Sequence, residues 1–344
     1  LELVYQMWNN KVVNDIYEPG STCKIVTTAI AMEEGISGLA DRFNCQGQIT
    51  VDGQTIKCHK DGGHGDQSFA ETLQNSCNPA FVSLGLRIGK SSFINYFEEF
   101  GFLDLTGCDM LGESKTYYYG TNNSQFGRVE LATYSFGQSF KTTIIQQLRA
   151  VSVVANGGYL VTPHLGKYLT DDDGNITHTF EYETDRQVIS SSVAESIVDI
   201  LYGGINTGST KNAAVEGYSI AAKTGTSQKL DILDRTAYVS SCVAFAPAED
   251  PQVAIIVVVD EPTVHDFYGG LVAAPVVSSI LSEVLPYLGI PRSGEAEHET
   301  ITVTKMIGKN TADAIKAVES LGLEYRIVGN GLTVVDQMPR SGTA

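Results

Sequence analysis

Between Ser21 and Glu34 apolar residues return at intervals of three and four, and Gly35 closes the run, so the spacing predicts a helix. One position breaks the pattern, because Lys24 sets an ammonium among Ile25, Val26, Ala29 and Ile30. A second helix is predicted from Ser68, whose partner Glu71 three residues on completes a capping box. Asn78 and Pro79 read as a cap and a first helical position leading into AFVSLGLRIG. That reading puts Ser76, Cys77 and Asn78 on a tight link between two helices. Thr143 and Gln146 open a further helix that runs to Ala155 and stops at Gly157 and Gly158.

Beyond that point the pattern changes to strands. YSIAAKTGTSQ, AYVSSCVAFA and QVAIIVVVD are strand-like, with the turn PAEDP between the last two, and they predict three successive antiparallel strands. Ala273 to Leu288 then reads as a closing helix. The acids of DDDGN, Asp171 to Asn175, suggest a calcium loop, but the glycine is misplaced and no glutamate closes the spacing, so a solvated hairpin turn is expected. The fold class is α+β: an antiparallel sheet with flanking helices and a helical subdomain between Ser21 and roughly Ala155. A compositional break over Pro291 to Thr300 reads as a linker, which divides the chain into a domain at 1–290, a linker at 291–300 and a small unit at 301–344. In that unit a strand, a helix capped by Thr311 and two more strands predict a β-α-β-β module.

Composition narrows the function. With 344 residues, 42% of them hydrophobic, the chain can bury one large core and carry a small appendage. Forty acidic residues against 23 basic ones give a net charge of -17, which repels polyphosphates and speaks against a nucleic-acid partner. The longest apolar runs, such as Val253 to Val259, are strand-sized and well short of the ~20 residues that span a bilayer. Any leader or anchor is expected upstream of Leu1. Six cysteines in a domain of this size make no dense disulfide framework and are read one at a time.

Positions three apart on a helix face the same way, so Lys24 can reach the hydroxyl of Ser21. An amine desolvated by apolar neighbours, or crowded by a second cation, loses its proton readily and can take that of an alcohol. Ser21 also lies where first-turn N–H groups lack intrahelical partners and can donate to an oxyanion. Taken alone, the pair reads as a capping serine and a snorkelling lysine. Likewise Ser76-Cys77-Asn78 alone is an ordinary helix cap, and Lys223-Thr224-Gly225-Thr226 alone is strand and turn. Their combination in this order is what carries weight.

With those three motifs, S-x-x-K, S-x-N and K-T-G, the chain resembles the serine penicillin-binding proteins and β-lactamases. YEPGST, LATYSFGQS, VANGGYLVTPHL, VAFAPAEDPQVAIIVVVDEP and YGGLVAAPV make the resemblance that of a class B transpeptidase from about Met7 to Leu288. It implies that Ser21 attacks the penultimate D-alanine of a peptidoglycan stem peptide with Lys24 as general base. Ser76 would relay the proton to the leaving amine, Asn78 would bind the substrate amide, and Lys223 would hold the local field. The hydroxyls of Thr224 and Thr226 would receive the terminal carboxylate, Gly225 would keep the strand approachable, and the amides of Ser21 and Thr226 would form the oxyanion hole. An amine of a neighbouring stem peptide would then resolve the acyl-enzyme, and a β-lactam would be trapped at the same step. No E-x-x-L-N loop of a class A β-lactamase is found around Leu111 to Arg128. The module at 301–344 resembles part of a PASTA domain. The family also implies an extracytoplasmic position at the cell membrane, with an upstream anchor and a glycan polymerase as partner. A division enzyme and a penicillin-sensing receptor domain are the alternatives.

The cysteines bend the family pattern. Cys23 stands where an apolar aromatic is common and Cys77 where a small residue is common. The spacing of Cys58 and Cys77 resembles a redox-sensitive pair in the spore-cortex branch of the family, which implies a disulfide opened by a thiol reductase. Catalysis needs no cofactor, but Cys58, Asp61, His64 and Cys77 offer soft and borderline ligands for a structural zinc, with Cys45 or His59 able to replace one. Zinc, a reversible disulfide and buried unpaired thiols stay open at this point.

Overall fold

The computed structural model describes residues 8–120, 126–182, 186–206, 208–229, 236–293, 302–323, 325–339 and 341–342. The chain separates into two compact units, 1–293 and 294–344. Most of the segment expected as a linker lies outside the described residues.

The buried centre of the first unit is α1 (Lys24–Glu33), whose residues from Lys24 to Ala31 are all buried. A helix that is apolar on nearly every side is stable only with neighbours all round it. It has them in α2 (Phe69–Gln74), α3 (Asn78–Ile88), α6 (Ile144–Ser152) and α7 (Ser191–Gly203), with α4 (Lys90–Glu99) and α5 (Arg128–Tyr134) beyond α3. Aromatic rings fill the space under α4 and α5: Phe97 stacks on Phe102 at 4.3 Å and meets Phe140 edge-on at 4.8 Å. Both predicted capping boxes form, at Ser68 with Glu71 and at Thr143 with Gln146.

Two helix starts differ from expectation. Ser21 lies in a tight 3-10 turn, Gly20–Cys23, and the α-helix proper begins at Lys24. Gly20 takes φ +57° and gives its N–H to Gly137 O at 2.8 Å, so the turn is held from outside before the helix starts. At the second start the N-cap is Cys77, and Asn78 is already helical. Pro79 therefore falls one position deeper, still inside the first turn, where its missing N–H is tolerated.

The largest sheet among the described residues of the unit has three antiparallel strands, β1 (Ala221–Gln228), β2 (Tyr238–Ala246) and β3 (Val253–Asp260), with β2 central. Pairing sets Lys223 opposite Val243, Thr224 opposite Cys242, Gly225 opposite Ser241 and Thr226 opposite Ser240. Alternation then sorts the two faces. Val243 and Phe245 belong to the core around α1, whereas Cys242, Ala244 and Ala246 pack with Ala274, Val277, Leu281 and Leu285 of α8 (Ala274–Tyr287). The stretch Gly269–Tyr287 is long and apolar enough to cross a membrane by length and composition, yet it lies against this sheet through that buried stripe. The expected hairpin at 171–175 joins strands Tyr168–Thr170 and Ile176–Thr179, and Asp171 closes it by accepting from the N–H groups of Asp173 and Asn175.

In the second unit the expected helix is present as α9 (Thr311–Ser320), capped by the side chain of Asn310 and not by Thr311. The three strands expected around it are not formed as ladders among the described residues. In their place are one bridge, Asn310 to Thr333, and bonds such as Val334 N–H to Lys309 O at 3.0 Å. Met306 and Ala314 are its buried apolar side chains among the described residues, too little core to order long strands.

Candidate active site

The amine of Lys24 is a hub: it joins Ser21, Ser76 and Asn78 by hydrogen bonds, and Lys223 lies near enough to act on its charge. Lys24 Nζ lies 3.1 Å from Ser21 Oγ, 3.0 Å from Ser76 Oγ, 2.7 Å from Asn78 Oδ1 and 2.8 Å from the carbonyl of Ser76. The side chain of Lys24 is fully buried and the Phe81 ring lies 5.3 Å from its nitrogen. Burial pushes its pKa well below the ordinary amine value, and the nearby Lys223 cation pushes the same way. An amine in this state can accept the proton of a hydroxyl 3.1 Å away.

Local backbone geometry sets the second hydroxyl in place. Ser76 adopts φ +52°, a left-handed conformation that side chains seldom take, at the corner between α2 and α3. The corner is tied by the N–H of Cys77 to Thr72 O at 3.0 Å and by the Asn78 amide to Lys57 O at 3.2 Å. Strain of this kind persists where surrounding bonds over-determine it.

The strand contributes from both faces. Lys223, on the α1 side, is 2% exposed, donates to Thr224 O at 3.0 Å and has its pKa lowered by burial to about 8. Thr224 and Thr226 lie on the α8 side, where Thr224 Oγ1 is 2.6 Å from Ser209 Oγ and Thr226 Oγ1 accepts from Gly269 N–H at 3.0 Å. Gly225 is required by close approach: a Cβ there would lie 2.5 Å from Ser241 Oγ and 2.9 Å from Pro19 O. The same closeness joins strand and serine turn, since a Cβ on Gly20 would be 3.4 Å from Thr226 O. Ser227 adds a bond to Glu18 O at 2.7 Å.

A thiol cluster adjoins the corner. One ligand atom each from Cys45, Cys58, His64 and Cys77 lies within 4.8 Å of the others. Asp61, expected in this set, is exposed and outside it; Cys45 takes the fourth place because its strand Arg42–Cys45 pairs with Gly65–Ser68 and sets Cys45 opposite Gly65. Cys58 Sγ is 3.4 Å from His64 Nδ1. A hydrogen bond from Cys77 holds the Cys58 thiol well below the usual range, while that of Cys77 is pushed up by the same contact and by burial. A tetrahedral zinc with three sulfurs and one nitrogen has donor edges of about 3.5–3.8 Å, so the chemistry of these donors fits the metal once the set contracts onto it. All six cysteines are free thiols.

Sequence reasoning passed over three participants. Gly137 receives the Gly20 N–H, Gly269 bonds to Thr226 and Ser209 meets Thr224. Each acts through a chain crossing that no local spacing signals.

The chain matches the family described as penicillin binding protein transpeptidase domain over residues 2–282. It is 39% identical over 347 residues to stage V sporulation protein D of Bacillus subtilis, covering 97% of this chain and 53% of that protein. With the peptidoglycan D,D-transpeptidase FtsI of Escherichia coli it shares 27% identity over 284 residues, covering 82% of this chain and 46% of that one. The chain thus spans about half the length of these curated relatives. A crystal structure of penicillin binding protein 3 from Mycobacterium tuberculosis, complexed with aztreonam, superposes with a TM-score of 0.74 at 26% identity, covering 86% of this chain and 67% of that chain.

Proposed function

The chain belongs to the penicillin-binding protein transpeptidase family, and from that premise we propose that it is a serine D,D-transpeptidase that cross-links peptidoglycan stem peptides through an acyl-enzyme on Ser21. The observation that carries the reading is the buried Lys24 amine bonded at once to Ser21, Ser76 and Asn78. In the acylation step Ser21 Oγ bonds to the carbonyl carbon of the penultimate D-alanine and its proton passes to Lys24 Nζ. The amide C–N bond then breaks as Ser76 gives its proton to the departing D-alanine amine and takes the proton held on Lys24 Nζ, 3.0 Å from its Oγ. In the second step the amine of a neighbouring stem peptide attacks the ester and gives up a proton to Lys24 by way of Ser76, the ester C–O bond breaks as the new amide forms, and Lys24 returns the proton to Ser21 Oγ.

The side chains around the cleft have distinct parts in this scheme. Asn78 binds the substrate amide, Lys223 supplies a cationic field, and the hydroxyls of Thr224 and Thr226 receive the terminal carboxylate. The amides of Ser21 and Thr226 donate to the developing oxyanion, where fixed dipoles stabilise a transition state most. A β-lactam would acylate Ser21 and remain. The test is a fluorescent penicillin: a covalent adduct that Ser21→Ala abolishes supports the assignment, and labelling that survives the substitution removes it. Transfer of a stem-peptide acyl group to an added D-amino acid separates the enzyme from a penicillin-sensing receptor domain.

The higher identity to stage V sporulation protein D than to FtsI supports a role in spore cortex synthesis. The proposal places the catalytic unit at the extracytoplasmic face of the cell membrane beside a glycan polymerase, with 301–344 as part of a PASTA domain. We further propose that Cys45, Cys58, His64 and Cys77, whose ligand atoms lie within 4.8 Å of one another, hold a structural zinc beside the Ser76 corner. A disulfide between Cys58 and Cys77 would withdraw two of its ligands, which is where a thiol reductase would act.

A further inference from the structure

The hydroxyls of Thr224 and Thr226 are not free rotors, and counting their protons points outside the three motifs. Thr226 Oγ1 accepts the Gly269 main-chain N–H at 3.0 Å. A main-chain N–H can only donate, so this contact fills a lone pair and leaves the Thr226 proton to be given elsewhere. Thr224 Oγ1 and Ser209 Oγ are 2.6 Å apart. That pair holds two protons, of which one lies in the bond between them and one is left to give.

Ser209 is held as a fixed post. A Cβ on Gly270 would come within 2.2 Å of Ser209 O, so the Gly270 backbone lies close against it, while Gly269 lies against Gly225 and Ser241. Asn212 Nδ2 donates to Gly270 O at 2.7 Å, and the neighbouring Thr210 hydroxyl donates to Gly204 O at 3.1 Å. The Ser209 residue itself is exposed, within reach of a ligand, while Thr224 is 6% exposed.

We propose that Ser209 is a positioning residue for carboxylate recognition: by sharing one proton with Thr224 it fixes that hydroxyl, so that Thr224 and Thr226 together present two O–H donors to the two oxygens of a substrate's free carboxylate. The inference rests on the acyl-transfer reading above and adds to it a residue that none of the three motifs contains. Hydrogen bonds to an ionised acceptor are about twice as strong as neutral ones, so orienting them before binding favours carboxylate-bearing acyl donors over neutral ones.

The test compares second-order acylation rates for a penicillin and for its methyl ester, which keeps the ring but lacks the anion. For Ser209→Ala and Ser209→Gly the penicillin rate should fall about tenfold, the size expected for losing one oriented hydrogen bond, with the ester rate unchanged. Ser209→Thr, which restores a hydroxyl, should recover the preference, and thermal melts of all three should match the parent. Equal falls for acid and ester, or no fall for either, overturn the inference while leaving the enzyme reading intact. A parent protein that neither compound acylates overturns both.

Discussion

Asn78 Oδ1 lies 2.7 Å from Lys24 Nζ, the shortest of the four contacts made by that buried amine. A neutral carboxamide accepts a hydrogen bond from either protonation state of the amine and does not lock the proton in place. A carboxylate in the same position would. Asn78→Asp is nearly isosteric, and an opposite charge this close raises an amine pKa by ~1–3 units. On the acid limb of the rate profile acylation should therefore drop roughly 10- to 1000-fold, with that limb displaced toward alkaline pH. Labelling rates of the parent and the variant across pH check this, and a uniform drop without displacement would assign Asn78 to substrate binding alone.

In the proposed mechanism two lysines have opposite duties, and their pKa directions fix the sign of the pH dependence. Lys24 works as the free amine, and burial first, then Lys223, hold its pKa well below the ordinary value. Its contribution rises with pH through that lowered pKa. Lys223 works as the cation, and burial lowers its pKa to about 8, so its contribution is lost as pH climbs past that point. The acylation rate should be bell-shaped with its alkaline limb near 8. Lys223→Arg keeps the charge at all accessible pH, because a guanidinium titrates above ~12, and should carry the alkaline limb upward. An unmoved limb would assign the descent to another group.

The parts of this site that were legible in the sequence are those set by local chemistry. Ser68 with Glu71 and Thr143 with Gln146 cap their helices as their spacing requires. The three motifs fell on a helix start, a corner and a strand because Gly, Pro and apolar periodicity mark those elements directly. What misled or stayed hidden depended on chain crossings. The α-helix opens at Lys24 and not at Ser21 because Gly137 holds Gly20 from a distant segment. Cys45 displaces Asp61 from the thiol cluster because strand pairing brings in a residue from before the Gln48–Lys57 hairpin. Ser209 and Gly269 meet the K-T-G strand across its other face, which strand alternation reveals only once the register is known.

Gly137 supplies a test of the tether behind the serine turn. It has φ +84°, and a Cβ there would sit 2.0 Å from Gly20 O and 2.8 Å from Gly20 N. Gly137→Ala combines left-handed strain with overpacking against rigid backbone, together roughly 2–5 kcal/mol. Gly35→Ala is its control, with φ +62° but nothing within 4 Å of the added carbon. Calorimetry should give a melting temperature clearly lower for the first than for the second. Only Gly137→Ala should also slow acylation, since it alone displaces the residue before Ser21. Equal melting losses would mean that the clash is relieved by backbone movement and that the tether has no hold on the nucleophile.

The thiol cluster lets metal and catalysis be examined separately. Cys77 caps α3 and lies between Ser76 and Asn78, so whatever binds it fixes the corner that carries both. Under reducing conditions the purified protein should hold about one zinc per chain by elemental analysis, as expected of a four-donor set. Cys45→Ser removes a donor from the buried set and should lose most of the metal, whereas Asp61→Asn, outside the set, should keep it. Oxidation that joins Cys58 to Cys77 should release the metal, and a reductant with added zinc should restore it, because thiolate ligation and disulfide formation compete for the same sulfurs. Acylation should follow metal content in each case, through the position of Ser76 and not through any bond to the metal. If Cys45→Ser and Asp61→Asn behave alike and the reduced parent carries no zinc, the four side chains are packing groups, and the left-handed Ser76 is held without a metal, by the bonds of its corner to Thr72, Leu73, Lys57 and Lys24.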